Sequence, residues 1–112
     1  MTDTIFGKIA RGEVAAPKLH EDELCIAIPD VAPQAPTHIL VIPKRPIARL
    51  SQAGDGDGAL LGHLLRVAAQ VAKAAGLTDF RIVVNDGAGA GQTVFHLHLH
   101  VLGGRPMGWP PG

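Results

Sequence analysis

The chain is best interpreted from one stretch, Gln92-Thr93-Val94-Phe95-His96-Leu97-His98-Leu99-His100-Val101-Leu102. With the two-residue period of a β-strand, this stretch has two distinct faces. One face carries Val94, His96, His98, His100 and Leu102, and the other carries Phe95, Leu97, Leu99 and Val101. At about 3.3 Å of rise per residue, successive histidines are about 6.5–7 Å apart. One histidine in an apolar strand is usually a hydrogen-bonded core residue, whereas three in register can donate, accept, attack or bind metal. The pattern therefore predicts a functional site on a strand.

Composition limits the class of protein. A length of 112 residues predicts a single domain over residues 1–112, and an apolar fraction of 46% supplies a core. Ten basic residues cancel ten acidic residues, so no charged surface is expected to attract nucleic acid or a membrane. The only cysteine, Cys25, excludes an internal disulfide and is expected to act as a small buried hydrophobe. With no leader pattern and no apolar run near the ~20 residues that span a bilayer, we expect a cytoplasmic protein.

The remaining sequence predicts an α+β arrangement with an antiparallel sheet. A short helix is expected at residues 5–10, with Thr2, Asp3 and Thr4 as N-cap candidates. A long helix is expected at about residues 59–75, with Asp57 as a possible N-cap and Gly76 at a left-handed cap. The predicted strands are residues 18–20, 23–28, 37–42, 80–85 and the histidine stretch. The last two should be neighbours, and the wide apolar stripe of the long helix indicates that part of it covers a partner chain.

A glycine-rich loop at residues 86–91 leads into the histidine stretch. Backbone N–H groups at Gly91, Gln92 and Thr93 are predicted to point at an anion beside His98, because successive N–H groups can hold phosphate without net positive charge. The competing interpretation is a hairpin loop that is rich in glycine only for turn geometry. Without the adjacent histidines that interpretation would be favoured.

Several motifs together resemble a known family. The alternation of histidine and apolar residues from His96 to Leu102 resembles the signature of the histidine-triad (HIT) nucleotide hydrolases and transferases. Further motifs resemble, more narrowly, its Hint branch of purine nucleoside phosphoramidate hydrolases: Asp30-Val31, Pro33-Gln34-Ala35-Pro36-Thr37-His38, Val84-Asn85, Gly91-Gln92, Leu102-Gly103-Gly104-Arg105 and Trp109-Pro110-Pro111-Gly112. The resemblance implies an α+β HIT-fold homodimer, with a five-stranded antiparallel sheet, one long helix and one short helix per protomer. It also implies hydrolysis of AMP–amine or GMP–amine conjugates without metal or cofactor.

The same resemblance implies a role for each histidine. His98 would attack phosphorus and form a nucleotidyl-imidazole intermediate that water hydrolyses. His100 would act at the phosphate, and His96 and His38 would belong to the supporting hydrogen-bond shell. The departing amine needs a proton, for which His100 and Thr93 are the candidates.

The resemblance also implies which residues bind the nucleotide. Asn85 and the backbone of residues 91–93 would hold the phosphate, and Asp30 would accept the ribose hydroxyls. From the residues alone, a turn-capping role for Asp30 is favoured. The walls of the purine site would be Phe6, Ile28 and Val31.

Four residues depart from the pattern of the Hint branch. Ile28 stands where the branch usually has Phe, Thr93 replaces Ser, and Pro29 and Gly108 replace His.

The resemblance also implies a role for the C-terminal tail. Trp109 would reach towards the active site of the partner protomer and shape the choice of leaving group.

Other functions fit parts of the pattern. Alternating histidines can chelate Zn²⁺, which would make the chain a metal-binding or regulatory interaction protein, but no carboxylate or cysteine accompanies them at a recognisable spacing. Transferases of the family carry Gln in place of the third histidine, whereas this chain has His100. Polyphosphate hydrolases of the family lack the Trp-Pro-Pro-Gly ending that this chain has at residues 109–112. A nucleotide-binding module without turnover remains open, because binding and turnover use the same residues.

Overall fold

The computed structural model describes residues 3–112, so the N-cap candidate Thr2 lies outside the described residues. The elements in chain order are α1 (Ile5–Ala10), β1 (His20–Glu21), β2 (Cys25–Pro29), β3 (Thr37–Pro43), α2 (Gly58–Ala74), β4 (Phe80–Val83) and β5 (Leu99–Gly103). Short 3-10 turns cover residues 50–52, 55–57 and 88–90. The strands form one sheet in the order β1-β2-β3-β5-β4, with every neighbouring pair antiparallel. The predicted α+β class and the pairing of the last two strands are therefore confirmed.

The two helices begin and end close to the predicted positions. Thr4 caps α1, because its hydroxyl accepts the N–H of Gly7 at 3.0 Å. α2 ends before Gly76, whose φ of 82° is the left-handed conformation expected of a cap. Asp57 precedes α2 but does not cap it. Its carboxylate instead accepts the N–H of Gly54 at 2.7 Å and pairs with Arg45.

The sheet separates two apolar clusters. On one face, α2 packs on side chains that alternate along the strands, including Cys25, Ala27, Ile39, Val41, Leu99 and Val101. On the other face, α1 covers a smaller cluster that includes Ile9, Ile26, Ile28, Leu40 and Ile42. This division follows from the two-residue period of a strand, and it gives the sheet an α1 side and an α2 side.

The histidine stretch departs from the prediction. β5 begins at Leu99, so the predicted strand from Val94 is wrong for its first five residues. The backbone N–H of Leu97 donates instead to the carbonyl of Ile47 at 2.6 Å, outside the β-ladder. Leu97 reaches the α2 side as predicted, but Phe95 is 41% exposed rather than buried on that face. In the part of the chain that the structure describes, no helix is long and apolar enough to cross a membrane.

Candidate active site

Two neighbouring strands and the segment before β5 bring four histidines to the α1 side of the sheet. His38 is the second residue of β3, and His100 lies on β5, which pairs with β3. His96 and His98 precede β5 in irregular backbone. The rings of His98 and His100 have centroids 4.9 Å apart, and those of His38 and His100 are 5.1 Å apart. The histidines thus form a compact group, not the evenly spaced row that a continuous strand predicts.

The ring of His98 is held in one tautomer by a backbone carbonyl. Its Nδ1 lies 2.7 Å from the carbonyl oxygen of His96, which can only accept, so Nδ1 carries the hydrogen. Nε2 therefore keeps its lone pair. Burial lowers the pKa of His98, which is 8% exposed, and keeps the imidazole neutral near pH 7. Phe6 packs edge-on against the ring with centroids 4.9 Å apart.

The ring of His100 is fixed by a chain of hydrogen bonds. The backbone N–H of Gln34 donates to Nδ1 of His38 at 3.0 Å, so the hydrogen of His38 is on Nε2. That Nε2 lies 2.8 Å from Nδ1 of His100, which must then accept. His100 is left with an Nε2–H group to donate. Burial, together with the nearby rings of His98 and His38, lowers the pKa of His100 to about 4, so it is neutral near pH 7.

The side chain of His96 hydrogen-bonds to a backbone carbonyl. Its Nε2 lies 2.7 Å from the carbonyl oxygen of Pro43, at the end of β3, and the side chain is 3% exposed. Burial lowers its pKa, so this histidine too is neutral near pH 7. Its side chain fastens the segment before β5 to β3, and its carbonyl orients His98. His96 is thus a positioning residue.

The glycine loop forms a closed turn and not an open row of donors. The N–H of Gly91 donates to Ala88 at 3.0 Å, and that of Gln92 donates to Gly87 at 3.1 Å. Two of the three N–H groups predicted to face an anion are thus already used within the loop. Within the described residues, the N–H of Thr93 has no protein acceptor. The predicted phosphate cradle of three N–H groups is reduced to that one.

The side chain of Gln92 holds this loop in place. Buried at 3% exposure, it accepts from the N–H of Gly87 at 2.9 Å and donates to the carbonyls of Ala48 and Val94 at 2.9 and 3.0 Å. Asn85 is partly buried beside the loop, its Nδ2 3.7 Å from where a Cβ on Gly91 would lie.

The four residues predicted to bind the nucleoside have different surroundings. Phe6 and Ile28 belong to the apolar cluster on the α1 side, next to His98. Val31 is fully exposed and lies outside that cluster. Asp30 uses Oδ1 to accept the N–H of Ala32 at 2.8 Å, which is the turn-capping role, while Oδ2 lies 3.4 Å from Nε2 of His38. One carboxylate can therefore cap its turn and also face the histidines.

Trp109 lies beside Arg81 of β4. It is 83% exposed, and the guanidinium carbon of Arg81 is 5.9 Å from its ring centroid, in cation–π geometry. Arg81 also donates to the carbonyl of Gly108 at 2.8 Å. These contacts from β4 give the tail a defined position.

Two groups of metal-ligating side chains occur among the described residues. In each group the ligand atoms lie within 4.8 Å of one another: one is Asp30, His38 and His100, and the other is His20, Asp22 and Cys25. The first belongs to the histidine site, where its ring nitrogens already bond to each other. The second was missed by the sequence interpretation, which treated Cys25 as isolated. A His-x-Asp-x-x-Cys spacing at residues 20–25 was the available signal.

Comparison with known proteins decides the family. The family model for the HIT domain matches residues 11–107. The chain belongs to the HIT family. An uncharacterised HIT-like protein of Synechocystis is 60% identical over 111 residues, covering 98% of this chain and 97% of that protein.

Solved HIT structures have the same fold. A HIT family hydrolase from Legionella pneumophila superposes with a TM-score of 0.94 at 47% identity, covering 98% of this chain and 100% of that one. A HIT family hydrolase from Clostridium thermocellum superposes with a TM-score of 0.91 at 40% identity, covering 96% of each chain. The HIT fold with its five-stranded antiparallel sheet and one long helix is thereby confirmed.

Proposed function

We propose that this HIT protein is a hydrolase of purine nucleoside 5′-phosphoramidates and belongs to the Hint branch. The observation that carries the proposal is the hydrogen bond from Nδ1 of His98 to the carbonyl of His96 at 2.7 Å. It leaves Nε2 of His98 unprotonated, neutral and fixed in orientation, which are the requirements for an imidazole nucleophile. The printed names of the Legionella and Clostridium structures support the hydrolase class.

In the first step, Nε2 of His98 forms a bond to phosphorus and the phosphorus–nitrogen bond to the amine breaks. The amine leaves with the bonding electron pair and takes up a proton. The imidazole, now bonded at both nitrogens, carries positive charge, and the carbonyl of His96 stabilises it through the Nδ1–H group. In the second step, water attacks phosphorus and loses a proton to solvent. The bond to Nε2 breaks with its electron pair returning to the imidazole, and the nucleoside monophosphate leaves.

The tautomer of His100 defines its part in this reaction. Its Nε2–H can donate to a non-bridging phosphate oxygen, and His38 holds it there through the 2.8 Å bond to Nδ1. In the free protein, a pKa of about 4 makes His100 a poor source of the proton that the amine needs. The exposed hydroxyl of Thr93 is then the remaining candidate for a proton relay to the leaving group.

The nucleoside would lie over the α1 side of the sheet. Phe6 and Ile28 offer apolar surface to the purine, and Oδ2 of Asp30 is available to the ribose hydroxyls. Asn85 and the N–H of Thr93 lie at the loop that would face the phosphate. We propose that the protein acts as a homodimer in which Trp109 contacts the leaving group bound by the partner protomer, since its ring is 83% exposed on its own protomer.

The decisive experiment is steady-state hydrolysis of an adenosine phosphoramidate with a fluorescent amine, in EDTA, by wild type and His98→Ala. We expect the variant to lose at least about 10³-fold in kcat/KM, as is usual when a nucleophile is removed. His63→Ala, a histidine replaced on α2, is the matched control and should keep near-wild-type turnover. Rapid acid quench followed by mass spectrometry should detect an adenylylated His98 in wild type.

The competing functions are a zinc-dependent role, which the proximity of Asp30, His38 and His100 favours, and nucleotide binding without turnover. If wild type and Cys25→Ala are both inactive in EDTA and both recover with Zn²⁺, a metal role at the histidines would be established, because Cys25→Ala lacks a ligand of the other group. Wild type that binds AMP but shows no turnover with any amine would establish the binding role.

A further inference from the structure

A second cluster of chemically capable side chains lies at the turn between β1 and β2. Nε2 of His20 and Nε2 of His63 lie 2.6 and 2.7 Å from the same carboxylate oxygen, Oδ2 of Asp22. The thiol of Cys25 lies 3.6 Å from that oxygen. His20, Asp22 and Cys25 come from one hairpin, whereas His63 comes from the first half of α2. The ligand atoms of His20, Asp22 and Cys25 all lie within 4.8 Å of one another, and zinc accepts all three types of ligand. His63 reaches the edge of this group through its hydrogen bond to Asp22.

The cluster is separate from the histidine site. Cys25 packs with α2 in the cluster on the α2 side of the sheet, while Phe6 and Ile28 belong to the α1 side, where the four histidines lie. Successive residues of a strand point to opposite faces, so the sheet itself lies between the two groups. Changes in one group should leave the chemistry of the other intact.

Asp22 is oriented as a metal ligand would be. Its Oδ1 accepts the backbone N–H groups of Leu24 and Cys25 at 2.7 and 2.9 Å, which fixes the carboxylate and leaves Oδ2 for the histidines. Ligating carboxylates are commonly held by such outer hydrogen bonds. The side chains of His20, Asp22 and His63 are 28%, 28% and 33% exposed, so an ion can enter from solvent.

The distances require only a small adjustment. Tetrahedral Zn²⁺, with bonds of about 2.0–2.3 Å, places its ligand atoms about 3.3–3.7 Å apart. The oxygen of Asp22 and the sulfur of Cys25 already have this separation, at 3.6 Å. The nitrogen of His20 would move outwards by about 0.7 Å from its present hydrogen bond to Asp22. His63 lies outside the group of atoms within 4.8 Å of one another, so its partly exposed side chain would have to turn from Asp22 towards the ion. Both rings would shift their hydrogen from Nε2 to Nδ1.

We propose that His20, Asp22, Cys25 and His63 form a zinc site that fastens the β1–β2 hairpin to α2. The role is structural, because β1 has only two residues and pairs only with β2. Binding displaces the proton of the Cys25 thiol, because cysteine binds metal as the thiolate. The ion, one carboxylate and one thiolate then sum to zero charge, which suits a partly buried position.

The test uses the full chain, stripped with EDTA, desalted and titrated with Co²⁺ and then Zn²⁺. We expect one equivalent of Co²⁺ per chain, with tetrahedral visible bands and a thiolate-to-cobalt charge-transfer band that Zn²⁺ abolishes. Cys25→Ala should lose the thiolate band. Both Cys25→Ala and His63→Gln should bind at least about 100-fold more weakly, beyond the 10–100-fold typical of an outer-shell change. His100→Gln, in the other group of potential ligands, is the matched control and should keep band and stoichiometry.

Thermal unfolding followed by circular dichroism tests the same site independently. Zn²⁺ should raise the Tm of wild type and of His100→Gln, but not that of Cys25→Ala, whose spectrum also reports that it is folded. A wild type without a thiolate band, or binding weakened only by His100→Gln, would overturn the proposal. Phosphoramidate turnover is a separate measurement, so failure of the zinc site and failure of the proposed hydrolysis are distinguishable.

Discussion

Replacement of Gln92 by leucine tests how the loop before the histidines is held. The side chain is 3% exposed, and leucine has nearly the same volume, so the substitution removes hydrogen bonds more than packing. Three bonds are lost: one from Gly87 and one each to Ala48 and Val94. The bond from Gly87 is fully buried, so its N–H group is left without a partner.

The cost can be worked out from these contacts. A typical intramolecular hydrogen bond contributes about 1 kcal/mol net, and an unpaired buried group costs about 1–3 kcal/mol. Because two of the three bonds are partly accessible to water, we expect a loss of about 2–4 kcal/mol in the free energy of unfolding. With a urea m value of about 2 kcal/mol per M, the midpoint should fall by about 1–2 M. A domain of typical stability stays folded under these conditions.

Urea unfolding followed by circular dichroism measures this loss, with Gly89→Ala as the control in the same loop. A Cβ at Gly89 meets nothing within 4 Å, so this variant should differ from wild type by less than about 0.5 kcal/mol. Folded Gln92→Leu should also hydrolyse phosphoramidates at least about tenfold more slowly, because the loop leads directly to His96 and His98. If Gln92→Leu matches wild type in stability, the three bonds do not hold the loop and the reasoning is refuted.

Two further predictions concern pH and the tail. The pKa of about 4 for His100 lies below the unfolded value of 6.5, so between these pH values the unfolded chain binds more protons and the free energy of unfolding falls as pH is lowered. The free energy of unfolding should fall by roughly 1–3 kcal/mol between pH 6.5 and 4, with no such loss above pH 6.5. Urea unfolding at each pH should show a smaller loss for His100→Asn, and equal pH profiles for the two proteins would contradict the prediction. Deletion of residues 107–112 should change kcat/KM among phosphoramidates with different amines, with little loss of Tm because the Arg81 contact contributes only about 0.5–1 kcal/mol. Unchanged turnover with every amine would remove Trp109 from the proposed leaving-group site.

Local sequence signals predicted much of the fold. Apolar residues with helical spacing and a glycine stop placed α2 within a residue of its observed bounds, Gly58–Ala74. Proline and glycine placed the turns around β3, and the alternation of Leu99 and Val101 predicted the buried face of β5. These signals work because the period of a helix or strand is a local property of the chain.

Contacts between distant residues account for what the sequence did not predict. The alternation of histidine and apolar residues before Leu99 suggested strand, but Pro43 and Ile47 accept the hydrogen bonds of His96 and Leu97. Periodicity cannot detect an acceptor some fifty residues away. For the same reason the sequence could not show that His63 lies 2.7 Å from the carboxylate of Asp22.

The early end of β5 also bears on how the site is built. In a regular ladder, the carbonyl of His96 would be used by a neighbouring strand, and the ring of His98 would be free to rotate. Because the backbone leaves the ladder before Leu99, that carbonyl accepts Nδ1–H of His98 instead, at 2.7 Å. His96 can support this only while its own ring is bonded to Pro43, at the end of β3. The proposed nucleophile, His98, therefore depends on the early end of the strand. The carbonyl of His96 sets its tautomer, and Pro43 at the end of β3 holds His96 in place.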